Sequence, residues 1–137
     1  MLHIFIDTSA LIALGIASEE HHQKCRDKYE EYRKENAFFF TNHLVLTEFY
    51  TRVLTAFGKH YLLKSIKMIN KLVDEGKLRV FLIDSVIFKD SEAAMIKFSE
   101  HKLSFTDCSI YASVKTYKLD EVFTLDEGFK KVGLETS

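Results

Sequence analysis

The sequence of 137 residues contains no proline and no tryptophan, and it has only five glycines and two cysteines. A chain without proline and with 13% aromatic residues is neither collagen-like nor disordered. Cys25 and Cys108 lie far apart and form no CxxC pair, which excludes a disulfide scaffold and a cysteine-based zinc motif. We expect both to be reduced thiols. No apolar run reaches the about 18 residues that a transmembrane helix needs.

Neither sign of charge dominates the sequence. It contains 19 Lys and Arg residues and 20 Asp and Glu residues, which gives a formal net charge of −1 at pH 7. This balance excludes a uniformly basic surface, so a polyanionic partner would need a local patch. Residues 10–17 (ALIALGIA) are apolar, but no basic leader precedes them and Asp7 interrupts the apolar stretch. A signal peptide is therefore not predicted, and we expect a cytoplasmic protein without a membrane partner.

What the sequence does contain is enough apolar residues, 47%, to form a packed core. No linker or internal repeat divides the chain, so we expect a single domain over residues 1–137. Short apolar runs predict strands at residues 2–6, 37–41, 78–83 and 121–124, with a weak fifth strand near Leu134. Periodic apolar residues predict helices at residues 19–36, 44–57, 62–73, 85–100 and 107–117. This alternation predicts an α/β fold, a three-layer α/β/α sandwich with a mostly parallel sheet of four to five strands.

Polar residues at the starts of the predicted helices indicate their N-caps. Thr8 or Ser9 is expected to cap the helix after the first strand, and Thr106 the helix that begins near residue 107. Asp84 follows the third strand and is expected to cap the next helix. Asp120 and Glu121 lie at the start of the fourth strand and are expected to face solvent at the opposite edge of the sheet.

The aromatic residues are assigned a structural role. Phe38, Phe39, Phe40 and Phe49 are expected to lie in the core or at a dimer surface, and not to form a platform on which bases stack.

Four acids from distant parts of the chain are expected to meet at one edge of the sheet. Asp7 comes directly after the first strand, and Asp126 follows the fourth. Glu48 lies in the opening turns of the helix after the second strand, and Asp107 in the first turn of the helix before the fourth. Strand C-termini and helix N-termini share one edge of a parallel sheet, and ligands bind there.

The chemistry of such a cluster points to a divalent cation. Carboxylates gathered together repel one another, and burial raises their pKa values unless a cation holds them ionised. Oxygen ligands favour Mg²⁺ or Mn²⁺ over zinc. A metal of this kind activates water and stabilises the leaving oxygen in phosphodiester hydrolysis.

The sequence around these acids resembles the PIN-domain ribonucleases, and in particular the small VapC-type toxins. IFIDTSALIAL is similar to the first motif of that family, with Asp7 as its acid and Ser9 at its hydroxyl position. VLTEFYTR resembles the second motif and gives Glu48 the role of the second acid.

The remaining motifs lie in the last third of the chain. HKLSFTDCSIYASV resembles the third motif and supplies Asp107. FTLDEGFKKVG resembles the fourth motif and supplies Asp126, with Thr124 two residues before it. Two positions depart from the family pattern, because Lys102 replaces a frequent glycine and Cys108 replaces a small residue; both departures leave the acids intact.

The resemblance implies a metal-dependent endoribonuclease that cuts single-stranded or structured RNA. It implies that the four acids are catalytic and bind one or two Mg²⁺ or Mn²⁺ ions, with Ser9 and Thr124 in support. It also implies a homodimer and, for a toxin, a cognate antitoxin whose tail enters the acidic groove. His43 lies near the mouth of this predicted site, where a role in RNA contact and a plain surface role are both open.

Other interpretations of the same residues remain. Asp7, Asp107 and Asp126 also suit helix capping, and Glu48 is placed to form an i,i+4 pair with Arg52. A phosphoacceptor receiver domain would need adjacent acids after the first strand and a Lys after the fifth. A haloacid-dehalogenase phosphatase would need DxD where this chain has DTS. A standalone RNA-processing nuclease and a PIN-like module that binds RNA or a partner without cutting remain as alternatives.

Overall fold

The structure, a computed structural model, describes all 137 residues. The strands are β1 (His3–Ile6), β2 (Phe38–Asn42), β3 (Arg79–Phe81) and β4 (Glu121–Phe123). The helices are α1 (Thr8–Gly15), α2 (His22–Lys34), α3 (His43–Phe57), α4 (Lys59–Asp74), α5 (Ser85–Lys97), α6 (Phe105–Tyr117) and α7 (Gly128–Lys131), with a 3-10 turn at Ser99–His101. The elements follow one another in the predicted order.

The four strands form one sheet in the order β3-β2-β1-β4, and every neighbouring pair is parallel. Parallel neighbours need crossover connections, and helices supply them here. The two faces of β2 are covered by different helices. On one face Tyr29 of α2 stacks on Phe39 with ring centroids 4.8 Å apart. On the other face Phe40 stacks on Phe81, which stacks on Tyr117 of α6. The predicted three-layer α/β class is confirmed.

The predicted fifth strand is reduced to a single parallel bridge between Val122 and Thr136. The largest buried side chains lie where the sheet meets its helices, and they include Phe5 of β1, Phe49 of α3 and Phe123 of β4. Both cysteines are free and buried, and burial raises the pKa of each thiol. No helix has the combined length and hydrophobicity needed to cross a membrane.

Two predicted N-caps are wrong. Asp7, not Thr8 or Ser9, caps α1, and its carboxylate accepts a hydrogen bond from the backbone N–H of Thr8. Ser104, not Thr106, caps α6. In both cases the helix begins earlier than predicted, so the capping side chain lies earlier as well.

The prediction for α5 is confirmed, because Asp84 caps it through a 2.9 Å bond that the N–H of Ile87 donates. Phe39 and Phe49 lie in the core, as predicted, whereas Phe38 is 45% exposed and lies outside it, so that a dimer surface stays a prediction for this residue. Phe38 is the first residue of β2 and the only exposed one in that strand.

Candidate active site

The topology brings the predicted acids to one edge of the sheet. Asp7 follows β1 directly, and Asp126 lies three residues beyond the end of β4. Glu48 lies in the second turn of α3, which starts where β2 ends, and Asp107 lies in the first turn of α6. All four residues are therefore at the edge formed by strand C-termini and helix N-termini.

Asp7 is the most buried of these acids, with 5% of its surface exposed. Its carboxylate accepts hydrogen bonds from the N–H of Thr8 at 2.6 Å, the Ser9 hydroxyl at 3.1 Å and the Thr124 hydroxyl at 2.7 Å. Burial raises the pKa of Asp7 to about 6, and the negative charge of Asp107 adds to this rise, while the three hydrogen bonds oppose it. Asp7 is therefore held in one orientation in a place that disfavours its charge.

The hydroxyls of Ser9 and Thr124 connect Asp7 to the loop that carries Asp126. They lie 3.2 Å from each other. Ser9 Oγ accepts the N–H of Leu125 at 3.0 Å, and Thr124 Oγ1 accepts the N–H of Asp126 at 2.9 Å. The two hydroxyls thus fix the backbone before Asp126 to the same carboxylate that follows β1.

Asp126 is fixed further by its own carboxylate, whose Oδ1 accepts the N–H of Gly128 at 2.8 Å. This hydrogen bond lies at the start of α7, so Asp126 is close to the helix-capping position that the sequence suggested for it. The N-cap residue itself is Glu127, which makes no side-chain capping bond.

Asp107 forms a reciprocal capping box with Ser104 at the start of α6. Its carboxylate accepts the N–H of Ser104 at 3.1 Å, and the Ser104 hydroxyl accepts the N–H of Asp107 at 3.0 Å. Burial raises the pKa of Asp107, and the charges of Asp126 and Glu48 raise it further. The capping interpretation of Asp107 is thus present together with its electrostatic contact with two other acids.

Glu48 is held less firmly than the other acids. Its side chain is 33% exposed and forms the predicted i,i+4 pair with Arg52, at 3.5 Å. A pair this long and this exposed constrains the side chain only weakly.

Asn42 has a role in this site that the sequence did not predict. Its side-chain oxygen accepts the N–H of Val45 at 2.9 Å and caps α3, and its nitrogen donates to Ser109 at 3.2 Å and Ser113 at 3.4 Å. The amide is fully buried and joins the start of the Glu48 helix to the helix that carries Asp107. An Asn directly after an apolar strand is a signal for the cap, but its partners on α6 lie too far along the chain to be read from the sequence.

The residues noted around the motifs lie as follows. His43 is exposed at the first position of α3, and Lys102 ends the 3-10 turn in a left-handed conformation, with φ 51°. That conformation favours glycine, which accounts for Lys102 being unusual there. Cys108 is fully buried behind Asp107, whose charge adds to burial in raising the pKa of the thiol.

The donor chemistry of the four acids fits a hard divalent cation. No Lys, Arg or His forms a salt bridge with Asp7, Asp107 or Asp126, so no basic side chain neutralises their charges. All of the donors are carboxylate oxygens, which suit Mg²⁺ or Mn²⁺. As placed, no group of three or more His, Cys, Asp or Glu side chains is arranged to hold a metal ion. The four acids therefore suit a divalent cation in their charge and in the type of ligand atom they offer, and not in the arrangement of their side chains.

Two separate clefts lie near this edge of the sheet, and Leu125 lines both. One, of about 300 Å³, is bordered by Lys24, Lys28 and Asp126. The other, of about 210 Å³, is bordered by Ser9 and Arg52. Of the four acids only Asp126 lines either cleft, and acidic as well as basic side chains border both of them.

The model of the PIN domain family matches residues 4–134, which is nearly the whole chain. The chain belongs to the PIN-domain family. All four acids lie inside the matched region of this PIN-domain protein, and so do Ser9 and Thr124. Comparison with curated protein sequences gave no match.

Solved structures with the same fold include three toxin–antitoxin proteins. The chain is similar to Mycobacterium tuberculosis VapC20, a sarcin–ricin loop cleaving toxin, with a TM-score of 0.83 and 19% identity over 96% of this chain and 95% of that one. It is also similar to a chain of VapBC2 from Rickettsia felis bound to promoter DNA, with a TM-score of 0.73 and 13% identity over 99% and 98% of the two chains. A chain of the DNA-bound VapBC of Salmonella typhimurium gives a TM-score of 0.70 and 14% identity over 100% and 98%. At these identities the likeness establishes the fold.

Proposed function

We propose that this PIN-domain protein is a metal-dependent endoribonuclease and the toxin of a toxin–antitoxin pair. The observation that carries the proposal is electrostatic. The charge of Asp107 acts on Asp7, and the charges of Asp126 and Glu48 act on Asp107, although the four acids come from four separate segments of the chain. Perturbed carboxyl groups gathered at a sheet edge are typical of active sites.

The proposed cofactor is Mg²⁺ or Mn²⁺, held as one or two ions by Asp7, Glu48, Asp107 and Asp126. When bound, such an ion stabilises the charge of a phosphodiester and activates water for its hydrolysis. The raised pKa values of Asp7 and Asp107 mean that each carboxyl must lose its proton at a cost before it can serve as a ligand.

The neighbouring residues of the chain orient these ligands. Thr8, Ser9 and Thr124 donate three hydrogen bonds to Asp7, which leaves its carboxylate little rotational freedom. The Ser104 capping box does the same for Asp107. Orientation of metal ligands by hydrogen bonds raises both affinity and activity. Glu48, held only by Arg52, is the ligand with most freedom to adjust to substrate.

The test is cleavage by purified protein of a panel of RNAs that includes one with a sarcin–ricin loop. We expect cleavage in Mg²⁺ or Mn²⁺, none in EDTA, and a loss of at least about 100-fold for Asp7→Asn and Asp107→Asn, because loss of a ligand should exceed the loss seen for residues that only orient one. Asp84→Asn is the matched control, since Asp84 also follows a strand at this edge and caps a helix. Equal cleavage by all of these proteins would mean a contaminating nuclease and would refute the assignment.

The proposed partner is a cognate antitoxin. VapBC complexes are among the solved structures that share this fold, which supports such a pairing. The uncompensated acids would attract a basic side chain from the partner. Co-purification of the product of an adjacent reading frame, with inhibition of cleavage, supports the toxin; full activity of the chain in the presence of that product favours a standalone processing nuclease. The homodimer remains a prediction that sedimentation equilibrium can test.

A further inference from the structure

A large cavity lies at the edge of the sheet opposite the acids. It is a cleft of about 750 Å³ lined by the first residues of three strands, His3, Phe38 and Arg79; His3 pairs with Phe38, whereas Arg79 pairs with Phe40. Arg33 and Asn36 border it at the end of α2, and Lys77 borders it beyond the end of α4. We call it the basal cleft. Its volume is in the range of ligand-binding sites in proteins.

The charged side chains that line the basal cleft are all positive. Arg33, Lys77 and Arg79 line it, and none of its lining residues is an Asp or a Glu. Arg79 forms no salt bridge with any acid, and Arg33 and Lys77 pair only with Glu30 at 3.5 Å and Glu75 at 3.4 Å. Both pairs are solvent-exposed, and pairs of that kind contribute little and are readily exchanged for another anion. The charged residues that line the basal cleft are therefore all basic, and the acids beside them, Glu30, Glu75 and Asp120, lie outside its lining.

The basal cleft also contains accessible aromatic rings. Phe38 is 45% exposed although it belongs to a strand, and the ring of His3 stacks on it with centroids 5.7 Å apart and an interplanar angle of 19°. The ring of Phe40 lies 5.7 Å from that of His3. His3 is held in place by Asp120, which accepts its backbone N–H at 2.8 Å and lies 3.5 Å from its imidazole.

We propose that the basal cleft binds a single-stranded segment of RNA, with bases against Phe38 and His3 and phosphates against Arg79, Arg33 and Lys77. Aromatic rings set among cations are the chemistry that binds single-stranded nucleic acid. An acidic peptide would satisfy the cations but not the rings. The choice of RNA over DNA rests on the proposed nuclease function.

There is a physical reason for this protein to bind RNA at a second site, away from the acids. The acidic edge repels a polyanion until a metal is bound, so RNA gains little from approaching that edge alone. A cleft that holds the strand at the other edge anchors a long substrate and leaves the acids to act on a distant segment. The basal cleft should therefore lower the KM for long RNA and leave the kcat unchanged.

The test measures the affinity of full-length protein for labelled single-stranded RNA in EDTA, where binding is separated from cleavage. Three cations predict a slope of log K against log salt of about −2, and Arg79→Ala should reduce it by about 0.7. Phe38→Leu keeps an apolar side chain but removes the ring, and we expect about a tenfold loss of affinity from lost stacking. Lys89→Ala, which removes an exposed cation from α5, is the matched control and should change neither quantity.

The outcomes separate this proposal from the nuclease assignment. If Phe38→Leu and Arg79→Ala bind RNA like the parent while Asp7→Asn abolishes cleavage, the basal cleft is not an RNA site and the nuclease stands. If both variants lose affinity and no RNA is cleaved under any condition, the cleft stands and the nuclease falls. Equal competition by polyglutamate, at the same salt slope, would mean binding by charge alone and would also overturn the proposal. Thermal unfolding of each variant checks that the fold is retained.

Discussion

Asp7 and Asp84 occupy equivalent places in the fold and have different environments. Each follows a strand of the sheet, each has an extended backbone, and each accepts a backbone N–H at the start of a helix. Asp84 is exposed, and its only side-chain bond is the one from Ile87. Asp7 is buried, accepts two hydroxyls as well, and lies within the electric field of Asp107.

This comparison teaches which property marks a candidate ligand. A carboxylate at a helix start stabilises the helix whether or not it has another role. Burial beside other acids does the opposite, because the charged form is disfavoured by desolvation and by repulsion. A carboxylate buried beside other acids at such a cost to stability therefore points to a function that needs its charge. Asp7 has that property, and Asp84 lacks it.

The largest effect that tests this contrast is on stability in the absence of metal. The pKa of folded Asp7, about 6, exceeds its ordinary value of 3.8, so the folded state binds this proton more tightly than the unfolded state. The stabilising contribution is complete below about pH 4 and is lost as the pH rises through about 6. Asparagine carries no titrating proton, so the Asp7→Asn variant does not lose stability in this way as the pH rises. In EDTA the variant should therefore be more stable than the parent near pH 7, by up to about 3 kcal/mol, and no more stable than the parent near pH 4.

Urea unfolding at several pH values, in EDTA, measures this difference. Asp84→Asn is the control, because asparagine retains the cap of α5 and no buried charge is removed. A stability difference between Asp7→Asn and the parent that does not change with pH would show that Asp7 carries no cost in the metal-free protein.

The next effect concerns the Thr124 hydroxyl, which donates a hydrogen bond to Asp7 and has no counterpart at Asp84. Thr124→Val keeps the shape of the side chain but removes a bond to Asp7 at 2.7 Å and the partner of the Asp126 N–H. We expect the pKa of Asp7 to rise above about 6, so that Mn²⁺ binding begins at higher pH and is weaker by about 10- to 100-fold. Calorimetric titration with Mn²⁺ at different pH values measures both changes.

Thr47→Val is the matched control for that titration. Its hydroxyl is exposed on α3 and donates only to the carbonyl of Leu44. If the two Thr variants bind Mn²⁺ alike, the Thr124 hydroxyl does not tune the site.

The fold and the position of the acids could be predicted because they depend on local signals. Apolar runs and helical periodicity are short-range patterns, and the shared edge of strand ends and helix starts follows from a parallel sheet alone. Asp7 after β1 and Asp107 at the start of α6 were placed in this way. The observed strand order, by contrast, depends on the crossovers and not on any one segment.

Contacts between distant residues could not be predicted. Glu121 was expected to face solvent, but it accepts the hydroxyl of Tyr32 at 2.7 Å across 89 positions of the sequence. Asn42 meets Ser109 and Ser113 across 67 and 71 positions. Such pairs form only after the layers have packed, so the buried polar network around the acids required the structure.

The smallest effect belongs to Asp84. Asp84→Ala removes the bond from the Ile87 N–H and should destabilise the protein by about 1 kcal/mol, the usual cost of losing an N-cap. Since α5 packs against α6, which carries Asp107, a larger role for Asp84 would appear as lost Mn²⁺ affinity. We expect unchanged affinity and a lower melting temperature, a change opposite in sign to that of Asp7→Asn near neutral pH. Two carboxylates with the same place in the fold would then differ in the direction of their effect, because only one of them is buried among other acids.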